Sequence, residues 1–166
     1  MSQSLAELLR GKGSHADPLA CVEGVPFEVA ARQIDGFPHS IGQLVSHMNY
    51  WMDYELRRIR GGKPKYPEHN SESFPPAPSP ADAEDWDILK KCFATLLQEF
   101  AALANSSAQE MRQQIESVHP GDRKIAGTLE AVLWQMVAHN SYHTGQIAMM
   151  RRSLRAWPPL DGGDTW

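Results

Sequence analysis

Cysteine is nearly absent. The 166 residues include two, Cys21 and Cys92, far apart and outside any CxxC spacing, which excludes a disulfide scaffold and a cysteine-based zinc knuckle and suits a reducing cytoplasm. An excess of positive charge is missing as well. With 16 Lys and Arg against 20 Asp and Glu the formal net charge is -4, so no basic field gathers nucleic acid or an anionic membrane surface. The opening MSQSLAELLRGKG lacks a basic start followed by an apolar run, so no secretory signal is expected. Residues 131–150 alone form a charge-free stretch of membrane-span length, and they carry Gln135, His139, Asn140, Ser141, His143, Thr144 and Gln146, a polar load that is costly in lipid. Neither nucleic acid nor a membrane is an expected partner.

Alternating strand patterns and repeats are also lacking, and what remains reads as one all-α domain over residues 1–166. Ser4 and Glu7 form an S-x-x-E capping box ahead of a short helix that Gly11 and Gly13 interrupt. Pro18 starts a second piece through Val22, ended by Gly24, and Pro26 opens a minor helix, PFEVAARQI, before Asp35 and Gly36. A long helix follows, from the S-x-x-Q box of Ser40 and Gln43 to Gly61 and Gly62, about 30 Å in length. Its inward stripe is Ile41, Leu44, Met48, Trp51, Met52 and Ile59, and Arg57, Arg58 and Arg60 suit the negative end of its dipole.

Residues 61–80 hold six of the 12 prolines and read as a connector. Extended chain of that length reaches roughly 60 Å, which permits a long crossover to the next helix in place of a tight hairpin. That helix is expected to start with Ser79 as N-cap, Pro80 at its first position and Asp82, Glu84, Asp85 and Asp87 in the early turns. Trp86, Leu89, Phe93, Leu96, Phe100 and Leu103 follow at helical spacing as packing residues. After a polar link through Gly121, a last helix runs from about Thr128 to Leu154, with Arg151, Arg152 and Arg155 at its negative end. Residues 158–166 form a C-terminal tail ending in Trp166.

Chemistry concentrates in histidine. His139 and His143 stand one turn apart on the last helix, yet seven histidines in 166 residues give such a pair by chance about 0.3 times. Phase is more informative than spacing. Val132, Met136, His139, His143, Ile147 and Met150 share one core-facing stripe, and His47 falls between Leu44 and Trp51 on the apolar side of the earlier long helix. Three imidazoles buried without partners are costly, whereas a divalent cation accepts a neutral nitrogen from each and leaves the other nitrogen to donate. The competing reading is three core histidines hydrogen-bonded to Asn140, Gln146, Tyr54 or backbone carbonyls. At this level both stand. His39, His69 and His119 read as solvated loop residues, and His15 as a residue at the mouth of the cavity.

Two segments resemble a known family. HSIGQLVSHMNYWMDYELRRIRGG at residues 39–62 is similar to the DinB/YfiT-like superfamily hallmark of a serine and hydrophobic positions leading to a histidine, with a tryptophan four residues on. AHNSYHTGQIAMMRR at residues 138–152 resembles its H-x-x-Y-H-x-G-Q element, and GVPFEVAARQIDGFPHS its lead-in to the second helix. The resemblance implies a four-helix bundle with a long crossover between helices two and three, a divalent metal at His47, His139 and His143, and frequent homodimers. It also implies activities such as bacillithiol- or mycothiol-dependent S-transfer, mycothiol-dependent isomerisation, or metal-dependent hydrolysis.

Three histidines leave a coordination position open, as catalytic sites do. The expected function is therefore a metal-dependent enzyme, a thiol S-transferase or a hydrolase, acting on a small molecule with a low-molecular-weight thiol as a candidate partner. The expected ion is zinc or nickel, ahead of iron or manganese. Tyr54, Glu55, Asn140 and Tyr142 are candidates to orient the ligands or move a proton, with Glu55 as a solvated residue and Tyr142 as a packing residue the competing readings. The alternative is a stress-associated metal-binding module without turnover.

Overall fold

Short capped helices open the chain. In the computed structural model, which describes residues 4–116 and 127–158, the Ser4 hydroxyl accepts from Glu7 N–H and the Glu7 carboxylate from Ser4 N–H, starting α1 (Leu5–Leu9). Asp17 caps α2 (Pro18–Val22) by accepting from Leu19 N–H at 2.8 Å, and α3 (Phe27–Ala30) follows Pro26 but is shorter than the expected PFEVAARQI. The second capping box forms as its sequence requires, Ser40 and Gln43 satisfying each other's N–H groups at the start of α4 (Ile41–Ile59).

The second long helix, α5 (Ala83–Leu103), begins later than expected, with Asp82 as its cap in place of Ser79. The reason is tertiary. Ser79 is buried, its carbonyl accepts from the Ser40 hydroxyl at 2.8 Å, and Pro80 lies against Gly42, so this stretch docks on the start of α4 before any helix can begin. A short α6 (Ala108–Met111) and an isolated bridge between Gln114 and Thr128 precede α7 (Leu129–Ser153), which Thr128 caps. His119, Gly121 and the tail beyond Pro158, Trp166 included, lie outside the described residues.

No strand occurs among the described residues. The helix α4 touches both α5 and α7, while α1 and α2 touch α5 and α7 on the other side, and α3 rests on α4 and α5. Between them lie Met48 and Met52 of α4, Trp86, Phe93 and Phe100 of α5, and Leu133, Met136, Ile147 and Met150 of α7, closed below by Leu9, Cys21 and Val22. Trp86 keeps its indole N–H satisfied by donating to Val25 O at 2.7 Å.

Two arginines lie in the last turns of their helices as expected and are also structural pins. Arg58 is buried with Glu55, and Arg151 is buried with its guanidinium donating to the carbonyls of Ala20, Cys21 and Ala156. The charge-free run of α7 has a plain consequence, since its outward positions include exposed Trp134, Tyr142 and Met149 while its inward ones carry histidine and asparagine. Among the described residues no helix is long and apolar enough to cross a membrane.

Candidate metal centre

Helix periodicity carries His139 and His143 to one face of α7, and the α4 phase turns His47 toward them. The three meet. One ring nitrogen from each lies within 4.8 Å of the other two, a group that could hold a metal ion. His47 Nε2 and His139 Nε2 are 3.2 Å apart. For comparison, two nitrogens each about 2.05 Å from a tetrahedral zinc ion are about 3.3 Å from one another.

The Nδ1 atoms show which tautomer each ring takes. The Ser73 hydroxyl points its proton at Asn70 O (2.6 Å), so its oxygen accepts from His47 Nδ1–H at 2.8 Å. The Gln146 amide oxygen, 2.6 Å from His143 Nδ1, and the Asn140 amide oxygen, 3.3 Å from His139 Nδ1, can only accept. Each imidazole therefore carries its proton on the outer nitrogen and presents a bare Nε2 lone pair inward. Burial keeps the rings neutral: it pushes His47 down to about 3 and His139 to about 4, and lowers His143, with the neighbouring imidazoles adding to the shifts of His47 and His139. Lone pairs facing each other at 3.2 Å with no donor between them repel, and a cation is the group that turns this arrangement into a favourable one. The residues thus fit a divalent ion.

A second grip on His47 comes from the connector. A 3-10 turn at Asn70–Ser73 presents Ser73 to its edge, and Phe74 covers its face with ring centroids 3.9 Å apart and planes 8° from parallel. The other face of Phe74 stacks on His39 at 3.7 Å. His39 is thus half-buried beside the site and differs from the solvated loop residue expected, whereas His69 is exposed as expected. No periodicity marks Ser73, Phe74 or His39 in the sequence, because each is placed by the folding back of an irregular segment. His15 takes a different position from the one expected: its Nε2 is 2.8 Å from Ser141 Oγ, and it is not among the residues lining the cavity over the three histidines.

That cavity, about 430 Å³, is walled by the three histidines with Trp51, Glu55, Tyr66, Phe74, Gln135 and Tyr142. Glu55 is 1% exposed, which overturns its reading as a solvated residue; its carboxylate meets Arg58 at 2.6 Å, burial raising its pKa and the guanidinium opposing that rise. Tyr142 is 65% exposed and stands edge-on to His143 at the mouth. Asn140 is buried, holding His139 through its oxygen and contacting Met52 Sδ at 3.4 Å through its nitrogen. Tyr54 is set behind the cavity wall: its ring packs edgewise on Trp51 and Tyr66, its buried hydroxyl has no hydrogen-bond partner, and burial pushes its pKa up to about 12.

Comparison with curated proteins and with solved structures finds no match. The family model described as the DinB family matches residues 1–164. A match over nearly the whole chain, together with a helical fold that gathers the two resembling histidine segments, identifies the chain as a member of the DinB family.

Proposed function

We propose that this DinB family chain is a divalent-metal-dependent enzyme acting on a small molecule, in which His47, His139 and His143 bind the ion and a thiol or a water enters its open position. The observation that carries the reading is the convergence of three neutral imidazoles, each with its outer nitrogen already held by an acceptor. The ion, when bound, supplies Lewis acidity and lowers the pKa of the incoming thiol or water. The protein supplies the rest. Ser73, Asn140 and Gln146 hold the ligand rings in orientation, Phe74 and Trp51 narrow the approach of solvent, and Glu55 offers a carboxylate in the cavity wall to take up a proton. Zinc or nickel is the proposed ion, since imidazole suits both.

The accompanying fold proposal is a single-domain four-helix bundle, with α1 and α2 together filling the place of one rod and residues 61–80 crossing over between α4 and α5. It is supported by the contacts of α1 and α2 with α5 and α7 opposite α4. A cytoplasmic setting agrees with two unpaired cysteines, Cys21 buried and Cys92 exposed.

Elemental analysis of untagged protein, beside a His47, His139 and His143 triple-alanine variant, tests the ion. One equivalent of metal in the parent and none in a folded variant is expected. A panel of electrophiles with low-molecular-weight thiols, run with and without chelator, tests turnover; activity unchanged in metal-free protein overturns the enzymatic reading.

A further inference from the structure

A second, smaller cavity opens beside the first. Its volume is about 230 Å³, and it shares Phe74, Tyr142 and His143 with the larger one, so the two meet at a metal-facing imidazole. That volume lies below the usual range for a whole small-molecule site, about 300–1,000 Å³. It is therefore an extension of the main cavity. The walls differ in kind. The larger cavity has the Glu55 carboxylate, Asn70 and Gln135 among its walls, whereas the smaller is lined by Phe37, Leu44, Phe74 and Met150, with His39 and Gln146 as its polar edges beside the shared Tyr142 and His143.

Among the described residues, no Asp, Glu, Lys or Arg lines the smaller cavity. An ionic substituent entering it would lose water without gaining a counter-charge, whereas an apolar one gains the full transfer term. Burial also lowers the pKa of His39, which keeps that wall uncharged at neutral pH. His39 and His47 occupy both faces of Phe74, so that ring turns its edge to the slot, where Met150 and Leu44 add apolar surface; edge-to-face contact suits an aromatic ring.

We propose that this slot is a binding subsite for an uncharged aromatic ring of the substrate, whose reacting group lies at the three histidines while its polar remainder occupies the larger cavity. The proposal rests on the metal reading above and adds the substrate class to it: an amphipathic molecule with one aryl arm.

The test uses zinc-loaded full-length protein and titration calorimetry with hydroxamates, which share one metal-binding head. Benzohydroxamate or phenylacetohydroxamate is expected to bind about tenfold or more tighter than acetohydroxamate, and a para-carboxylate on the ring to remove that gain. Phe37→Asp and Pro38→Asp, two separate changes at residues that line the slot and are not among the three clustered histidines, are expected to abolish the aryl preference and leave acetohydroxamate affinity unchanged. If acetohydroxamate binds and neither aryl probe binds tighter, the slot proposal is overturned and the metal reading stands. An aryl preference that survives both variants also overturns it. If the protein holds no zinc, or zinc-loaded protein ignores acetohydroxamate, the metal reading falls and the slot proposal with it.

Discussion

Replacing Ser73 with alanine removes one hydroxyl and leaves the ring of His47 without an acceptor for its Nδ1–H. In the native arrangement Ser73 is 3% exposed, and its hydroxyl accepts from His47 at 2.8 Å and donates to Asn70 O at 2.6 Å. Loss of the group that orients a ligating histidine costs about 10–100-fold in metal affinity, or about 1.4–2.7 kcal/mol. Two features of this site set where in that range the variant falls. Phe74 still covers the His47 face at 3.9 Å, so the ring stays in place, but nothing then prevents the tautomer with the proton on Nε2, where it blocks the nitrogen that faces the other two histidines. The expected loss is therefore near the lower end, about 10–30-fold.

Competition with a chromophoric chelator at pH 7.5 measures the zinc affinity, and nitrogen-15 spectra of the imidazoles report the His47 tautomer directly. Ser71→Ala, on the same turn but exposed, is the control and is expected to change neither. Zinc affinity within about twofold of the parent in a folded Ser73→Ala protein, with the His47 Nδ1–H signal intact, refutes the orienting role.

Three further outcomes follow from buried groups. Because burial depresses the native pKa of His47 to about 3 and of His139 to about 4, the unfolded chain takes up protons from the usual 6.5 downward while the native state refuses them, so stability present above that pH is lost on acidification. Each ring contributes a slope of about 1.4 kcal/mol per pH unit between pH 6.5 and 4; urea unfolding of metal-free protein at a series of pH values checks it, and a flat profile contradicts neutral burial. Arg58→Met strands the Glu55 carboxylate in the core and is expected to destabilise by about 3–5 kcal/mol, while Arg58→Met with Glu55→Gln is markedly milder, a difference that denaturation of both variants reads. Gly42→Ala places a methyl group 2.2 Å from Pro80 Cδ and 2.5 Å from Ser79 O, so it is expected to cost about 1–3 kcal/mol and to expose the connector to proteases; an unchanged melting temperature argues against tight docking of that segment.

The parts legible in the sequence are those governed by helical period and by short-range capping. Ser4 with Glu7 and Ser40 with Gln43 act as the pattern indicates, the last helix starts at Thr128 as expected, and the stripe through His139 and His143 faces inward as its phase requires. Asn140 and Gln146 could be named as acceptors because each is helix-local to the ring it serves. The failures share the opposite property. Ser79 reads as an N-cap until its carbonyl is seen bound to Ser40, and neither the solvated reading of Glu55 nor the dipole role of Arg58 signals that the two pair in the interior. Ser73, Phe74 and His39 belong to irregular chain, where neither period nor cap signal assigns a side chain to a partner across the fold.

This division also orders how the site is made. His139 and His143 gain their acceptors as soon as α7 forms, since Asn140 is the next residue and Gln146 lies three further on from His143. His47 is different, because its acceptor is 26 residues away, in a short 3-10 turn of the proline-rich connector. That segment is fastened to the start of α4 at two points, Gln43 donating to Pro75 O at 2.7 Å and the Ser40 hydroxyl to Ser79 O at 2.8 Å. The capping box that starts the helix thus also anchors the strap that orients the helix's own histidine of the cluster. Loosening either anchor should weaken metal binding without touching a ligand, and Gly42, which lets the strap lie flush, belongs to the site as firmly as residues that line it.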